Sequence, residues 1–175
     1  MMNFKDISYL KKGNKKQQKS YDILSEIDIF TILKKFDPIL VGTIPLDIDI
    51  EKSDLDIVCQ VNDFEEFRQI LLDSFSNYDN FKIKYQYEYI LVCNFVVYDM
   101  EIEIYASNTE SHKTYGYRHM VIEYKLLNLY GEKFKEEVIN LKREGLKTEP
   151  AFAKILNLKG NPYEELLKYE KYLLD

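Results

Sequence analysis

The chain has 175 residues, 24 Lys or Arg against 30 Asp or Glu, and a formal net charge of −6, a balance that disfavours a duplex nucleic-acid partner because affinity for a polyanion comes largely from cations at its phosphates. A hydrophobic fraction of 46% with 14% aromatic residues excludes disorder and suffices for one packed domain. No apolar run approaches a membrane span and the opening MMNFKDISYLKK lacks the apolar core of a leader, so a cytoplasmic protein is expected.

Lys11, Lys12, Lys15 and Lys16, around Gly13-Asn14, form the one basic cluster and read as a solvated turn before the first helix. Residues 21–36 carry apolar side chains at helical spacing and stop before Asp37-Pro38, where the residue preceding proline is biased away from helix. A strand over 39–42 then delivers Gly42-Thr43 at its C-terminal end.

The segment LVGTIPLDIDIEKSDLDIVCQV, residues 40–61, is the most informative stretch. Successive strand side chains point to opposite faces. Leu55, Ile57, Cys59 and Val61 therefore share a buried face, and Asp54 and Asp56 share the other, about 6 to 7 Å apart along a strand rising about 3.3 Å per residue. Such a pair meets water or holds a cation. Oxygen-only carboxylate ligands suit magnesium, which usually arrives with nucleotide phosphates. Alternating acids also occur on any half-solvated strand, but Asp is depleted from strands. Asp47 and Asp49 offer an alternative register, ranked second because Glu51-Lys52-Ser53 interrupts it whereas Val58, Cys59 and Val61 continue the later strand.

Asn62 or Asp63 caps a helix through about residue 75 that buries Phe67, Ile70 and Leu71. Residues 81–89 alternate as a strand, and 90–97 read as another, joined by a turn that carries no Gly or Pro signal. After a turn at Tyr98-Asp99 comes a strand over 100–105. Met100, Ile102 and Ile104 face inward, leaving Glu101 and Glu103 opposite. Three consecutive strands make hairpins, so this part of the sheet is mixed or antiparallel. Cys59 and Cys93 are expected as small core residues.

From residue 115 the periodicity is helical. One helix uses Met120, Val121, Tyr124 and Leu127 and ends near Gly131; the next uses Phe134, Val138 and Leu141 and ends at Gly145. A third starts at Thr148-Glu149-Pro150 and ends by Gly160, and a last opens on Asn161-Pro162-Tyr163-Glu164. Arg118 could clamp a phosphate, and His119 could orient or deprotonate a nucleophile. Two His and two Cys lack zinc spacing. The expected class is α+β: residues 1–110 as an αβ core with an N-terminal helix and 111–175 as a helical region packed on it, in one compact unit.

An apolar strand, Gly42-Thr43, roughly ten residues and then Ser53-Asp54-Leu55-Asp56-Ile57 resembles the signature of the nucleotidyltransferase-fold superfamily, especially its minimal members. That superfamily places a third carboxylate on a later, adjacent strand. Glu103 is the choice here, with Glu101 as accessory, because Glu103 is flanked by apolar residues and Glu101 lies nearer the turn. Tyr117-Arg118-His119-Met120, the stretch from Gly145 through Lys154, and Asn161-Pro162-Tyr163-Glu164 are similar to an uncharacterised bacterial family usually placed in that superfamily. The resemblance spans about residues 39–105 and implies a mixed sheet with flanking helices.

It further implies a nucleoside monophosphate transferred from an NTP to an unknown acceptor. Two magnesium ions would sit on Asp54 and Asp56, with Glu103 holding one and activating an acceptor hydroxyl. Gly42, Thr43, Ser53 and Arg118 would face the nucleotide, with His119 accessory. Many minimal members follow the Gly-Ser with an arginine and a further glycine, where this chain has Ile44-Pro45-Leu46-Asp47. The N-terminal lysines are candidate replacements for that arginine. The alternative is a catalytically degenerate binding or regulatory module. A glycosyltransferase Asp-x-Asp is a third reading, disfavoured by the short region before it.

Overall fold

The structure is a computed structural model that describes residues 2–173; Met1, Leu174 and Asp175, at the ends of the two expected segments, lie outside the described residues. Asn14 opens the first helix, α1 (Lys15–Glu26), through a capping box: its Oδ1 accepts from Gln17 N at 2.8 Å, and Gln17 Oε1 accepts from Asn14 N at 2.9 Å. Lys15 and Lys16 thus begin the helix, where the sequence placed a solvated turn. The single helix expected over 21–36 is broken. After α1 the chain passes through Asp28 at φ 52° into a short α2 (Ile29–Ile32) and a 3-10 turn (Lys34–Phe36). Ile29 and Leu33 both end fully buried. The left-handed residue at Asp28, a type that tolerates that conformation, redirects the chain so that both are covered.

Strand β1 (Ile39–Val41) pairs antiparallel with β2 (Leu55–Gln60). Helix α3 (Phe64–Phe75), capped by Asp63 Oδ1 on Glu66 N at 2.9 Å, buries Phe67, Leu71 and Phe75. Strands β3 (Asp79–Tyr87), β4 (Ile90–Val97) and β5 (Met100–Ser107) follow as two hairpins. β3 begins and ends two residues earlier than the alternation suggested, so Glu88 and Tyr89 make the turn. The Tyr98 turn is made at φ 58° without glycine. Sheet order is β1-β2-β5-β4-β3, with β2 and β5 parallel and every other pair antiparallel, an α+β architecture with a mixed sheet.

The alternation along β2 divides the molecule into two apolar layers. Leu55, Ile57 and Cys59 pack with Leu24, Phe67 and Phe95 beneath the N-terminal helices and α3. Val58, with Ile39 and Val41, faces the other way. It is covered by α4 (Tyr115–Tyr130), α5 (Glu132–Arg143), α6 (Thr148–Ile155) and α7 (Pro162–Leu167). A short α8 (Glu170–Leu173) ends the described chain. α4 buries Ile122 and Leu126 more fully than Val121 and Leu127, a slight rotation from the expected stripe. α6 stops at Ile155, before Asn157 at φ 53°, well short of Gly160. Cys59 and Cys93 are free and buried. Among the described residues no helix is long and apolar enough to cross a membrane.

Candidate functional site

The parallel register of β2 and β5 sets the site. Asp56 lies directly beside Glu103, with Leu55 beside Ile102 and Ile57 beside Ile104 on the opposite, apolar face. Asp54 immediately precedes β2. Glu101 is exposed, whereas Glu103 is partly buried and its Oε2 accepts from Asn94 Nδ2, across the β4–β5 pair, at 3.1 Å. The chosen glutamate is thus the better anchored of the two.

Gly42 follows Val41, the antiparallel partner of Asp56, and sits at φ 81°. A Cβ there would drive into Asp56 Oδ2. Glycine is required twice over, for the positive φ and for the approach of the carboxylate. Beyond it Thr43 Oγ1 donates to Ser53 Oγ at 3.2 Å, while Ile50 N donates to the same Ser53 oxygen at 2.9 Å. Ser53 therefore ties the acidic loop shut. Within that loop Asp47 takes a φ of 56°, and its carboxylate accepts from the side chains of Asn14 and Lys135. Asn14 Nδ2 also reaches Asp49 Oδ1 at 3.3 Å. The earlier Asp-x-Asp is spent on holding the loop to two helices.

Burial pushes Asp56 up to about 7, and the neighbouring charges of Asp54, Glu103, Glu101 and Glu149 act in the same direction. Uncompensated negative charge at this point is what a bound cation would relieve. The all-oxygen donor set fits magnesium. Among the described residues no three His, Cys, Asp or Glu side chains close into a cage of their own, and magnesium commonly takes one or two carboxylates with phosphate oxygens and water as the remainder.

These carboxylates floor a cleft of about 1170 Å³ between the sheet and the helical half, which Gly42, Thr43, Ser53, Arg118 and His119 also line. Arg118 is held by Glu170 in a bidentate pair, Nε to Oε1 at 3.1 Å and Nη2 to Oε2 at 2.6 Å. Clamping a phosphate would require exchanging that partner. His119 is buried, with Nε2 at 3.0 Å from the Tyr163 carbonyl and Nδ1 at 3.6 Å from Glu149 Oε1. A carbonyl only accepts, so Nε2 donates. The N-terminal lysines stand elsewhere. Lys11 lies over the Tyr21 ring, Lys16 donates to the Ile50 carbonyl at 2.7 Å, and Lys15 and Lys16 line a second, smaller hollow that also touches Asp54. The cations lining the main cleft, besides Arg118, are Lys52, Lys113, Lys142 and Lys147.

Sequence reasoning missed Glu123, Lys142 and Glu149, which also line the cleft. Glu123 is 3% exposed and Lys142 5% exposed. Burial, with the charge of Glu149, lifts Glu123 to about 8; burial lowers Lys142 to about 8, against the opposing pull of Glu123, Asp49 and Glu149. Lys142 Nζ donates to the Ile48 carbonyl at 2.7 Å. A signal existed: Glu123 is spaced three residues from both Met120 and Leu126, and Lys142 four from Val138, so both charges fall on apolar stripes.

The family described as "Domain of unknown function (DUF4269)" matches residues 22–169, most of the chain, and the chain belongs to it. No curated protein matches in sequence. Among solved structures, the Cid1 poly(U) polymerase bound to MgATP is similar at a TM-score of 0.60 and 11% identity, over 88% of this chain and 49% of that one. A cytoplasmic RNA terminal U-transferase is similar at 0.54 and 14% identity, over 74% and 39%. The GLD-2/RNP-8 complex is similar at 0.55 and 14%, over 78% and 54%. At these identities the likeness is one of fold, the nucleotidyltransferase fold, and this chain spans about half of those neighbours' length or less.

Proposed function

We propose that this member of the DUF4269 family is a magnesium-dependent nucleotidyltransferase that moves a nucleoside monophosphate from an NTP to an acceptor. The observation that supports it most is the side-by-side placement of Asp56 and Glu103 on parallel strands, against a glycine whose missing side chain makes room for the Asp56 carboxylate. Asp54, Asp56 and Glu103 would hold the metal, which when bound screens phosphate charge and polarises the phosphoryl group under attack. Gly42 and Thr43, which line the cleft beside these carboxylates, would face the phosphates. Glu103, oriented by Asn94, would take the proton of the acceptor hydroxyl. The acceptor oxygen then bonds to the α-phosphorus, the bond from that phosphorus to the β-phosphate oxygen breaks, and pyrophosphate leaves with the electron pair.

A second reading, a fold-only binding module, draws on the engagement of Arg118 by Glu170 and on Ile44-Pro45-Leu46-Asp47 in place of a loop arginine. Thermal stabilisation by each NTP, with and without Mg²⁺, separates the two. Ligand at about a hundred times its Kd adds about 2.7 kcal/mol. The transferase reading expects a magnesium-dependent shift that is lost in the Asp54→Asn/Asp56→Asn double variant, followed by pyrophosphate release with an acceptor. A folded protein that responds to no NTP sinks it.

A further inference from the structure

The helical wall of the cleft carries a second group of ionisable side chains that metal-assisted transfer leaves unused. Glu123 projects from α4, is nine-tenths buried and more, and lines the cleft. Among the described residues its carboxylate has neither a hydrogen bond nor an ion pair. The cation nearest to hand in chemical terms, Lys142 of α5, has its ammonium on the Ile48 carbonyl at 2.7 Å. Glu149, in the first turn of α6, lines the same wall, and its charged contact is the Nδ1 of His119 at 3.6 Å. His119 commits its Nε2 proton to the Tyr163 carbonyl at 3.0 Å, so its Nδ1 offers Glu149 no proton when the ring is neutral.

With both glutamates ionised, Lys142 is the ammonium whose charge reaches Glu123 and one negative charge is left over; below about pH 8 a proton on Glu123 makes up that charge, and a bound cation would take its place. Burying a carboxylate without a partner is costly, and this one faces the space a substrate would occupy. A ligand that satisfies it must donate hydrogen bonds and bring positive charge. A phosphate is repelled by both glutamates, and a neutral hydroxyl supplies a donor but leaves the charge. A primary ammonium supplies three donors and the charge in a compact head.

The geometry points to a cation-accepting subsite, built on Glu123 and Glu149, that takes a primary ammonium group of the acceptor. The acceptor is then a small amine-bearing molecule. Its role as acceptor rests on the transferase reading; the subsite itself does not.

The test is calorimetric titration of the full chain with 1,5-diaminopentane and, as the uncharged counterpart, 1,5-pentanediol, at neutral pH with and without magnesium and a non-hydrolysable ATP analogue. Wild type binds the diamine and not the diol. Glu123→Gln, which keeps the shape and removes the charge, weakens the diamine at least tenfold, and Glu149→Gln weakens it several-fold, while both variants keep the binding of magnesium with the analogue. The Asp54→Asn/Asp56→Asn variant does the reverse. No diamine binding, equal binding of the diol, an unchanged affinity in Glu123→Gln, or displacement of the diamine by magnesium chloride alone overturns the subsite. If diamine binding follows Glu123 but the analogue never binds, the subsite stands and the transferase reading falls.

Discussion

Gly42 and Asp56 form a pair in which each limits the other. Replacing Gly42 by alanine asks an L side chain to adopt φ 81° and sets its Cβ against Asp56 Oδ2. Gly42→Ala is expected to cost about 1 to 3 kcal/mol in urea unfolding and to weaken magnesium-dependent nucleotide binding; a variant with wild-type stability refutes the close approach. Asp56 also imprints a pH dependence. Its folded value of about 7 lies above the ordinary 3.8, so across that interval the folded chain holds a proton the unfolded chain has released, and stability falls as pH rises. Asp56→Asn removes this slope. Its Tm is expected to exceed that of wild type above neutrality and to converge with it at about pH 4, which melts across a pH series will show. The alternation around Asp54, Asp56 and Glu103 was readable because one strand face is apolar throughout. Glu123 and Lys142 left a fainter mark, a charge on an apolar helix stripe, which acquires meaning only when three helices converge on it.

Individual elements were legible where the signal was local. The Asp63 cap of α3, the Asn161-Pro162 start of α7 and the apolar run of β4 all act over a few residues. The break at Asp28 was hidden, since Ile23, Ile27, Phe30 and Leu33 continue a helical spacing and only the burial of Ile29 and Leu33 decides the turn. The link between α4 and α8 belongs to the same scale. Arg118 and Glu170 are 32% and 34% exposed along their side chains, so the pair contributes no more than about 1 kcal/mol. Glu170→Gln is accordingly expected to shift the Tm only slightly, and by freeing Arg118 toward the cleft to tighten magnesium-dependent ATP binding several-fold. Unchanged or weaker binding would show that Arg118 takes no part in phosphate recognition.

Across the whole molecule, the two apolar layers share one sheet. Ile39, Val41 and Val58 pack in one cluster with side chains of α4 to α7, so a chain truncated at residue 110 bares most of that layer. It is expected to aggregate or remain unfolded, as size exclusion and circular dichroism would report; a soluble, cooperatively melting fragment would show that the N-terminal segment stands alone. Hairpins β3–β4 and β4–β5 could be foreseen from the run of strands, but the insertion of β5 beside β2 was foreseen only through the family resemblance, since no local pattern specifies which distant strand a parallel neighbour will be. That insertion governs the order in which the protein becomes competent. Asp56 and Glu103 are separated by α3 and two strands, and closing so long an intervening chain is entropically late work. On the transferase reading, cation affinity is expected to arrive with the slowest structural phase of the refolding chain: magnesium present from the start should leave early collapse untouched, and a metal-sensitive probe should lag behind the recovery of helical signal.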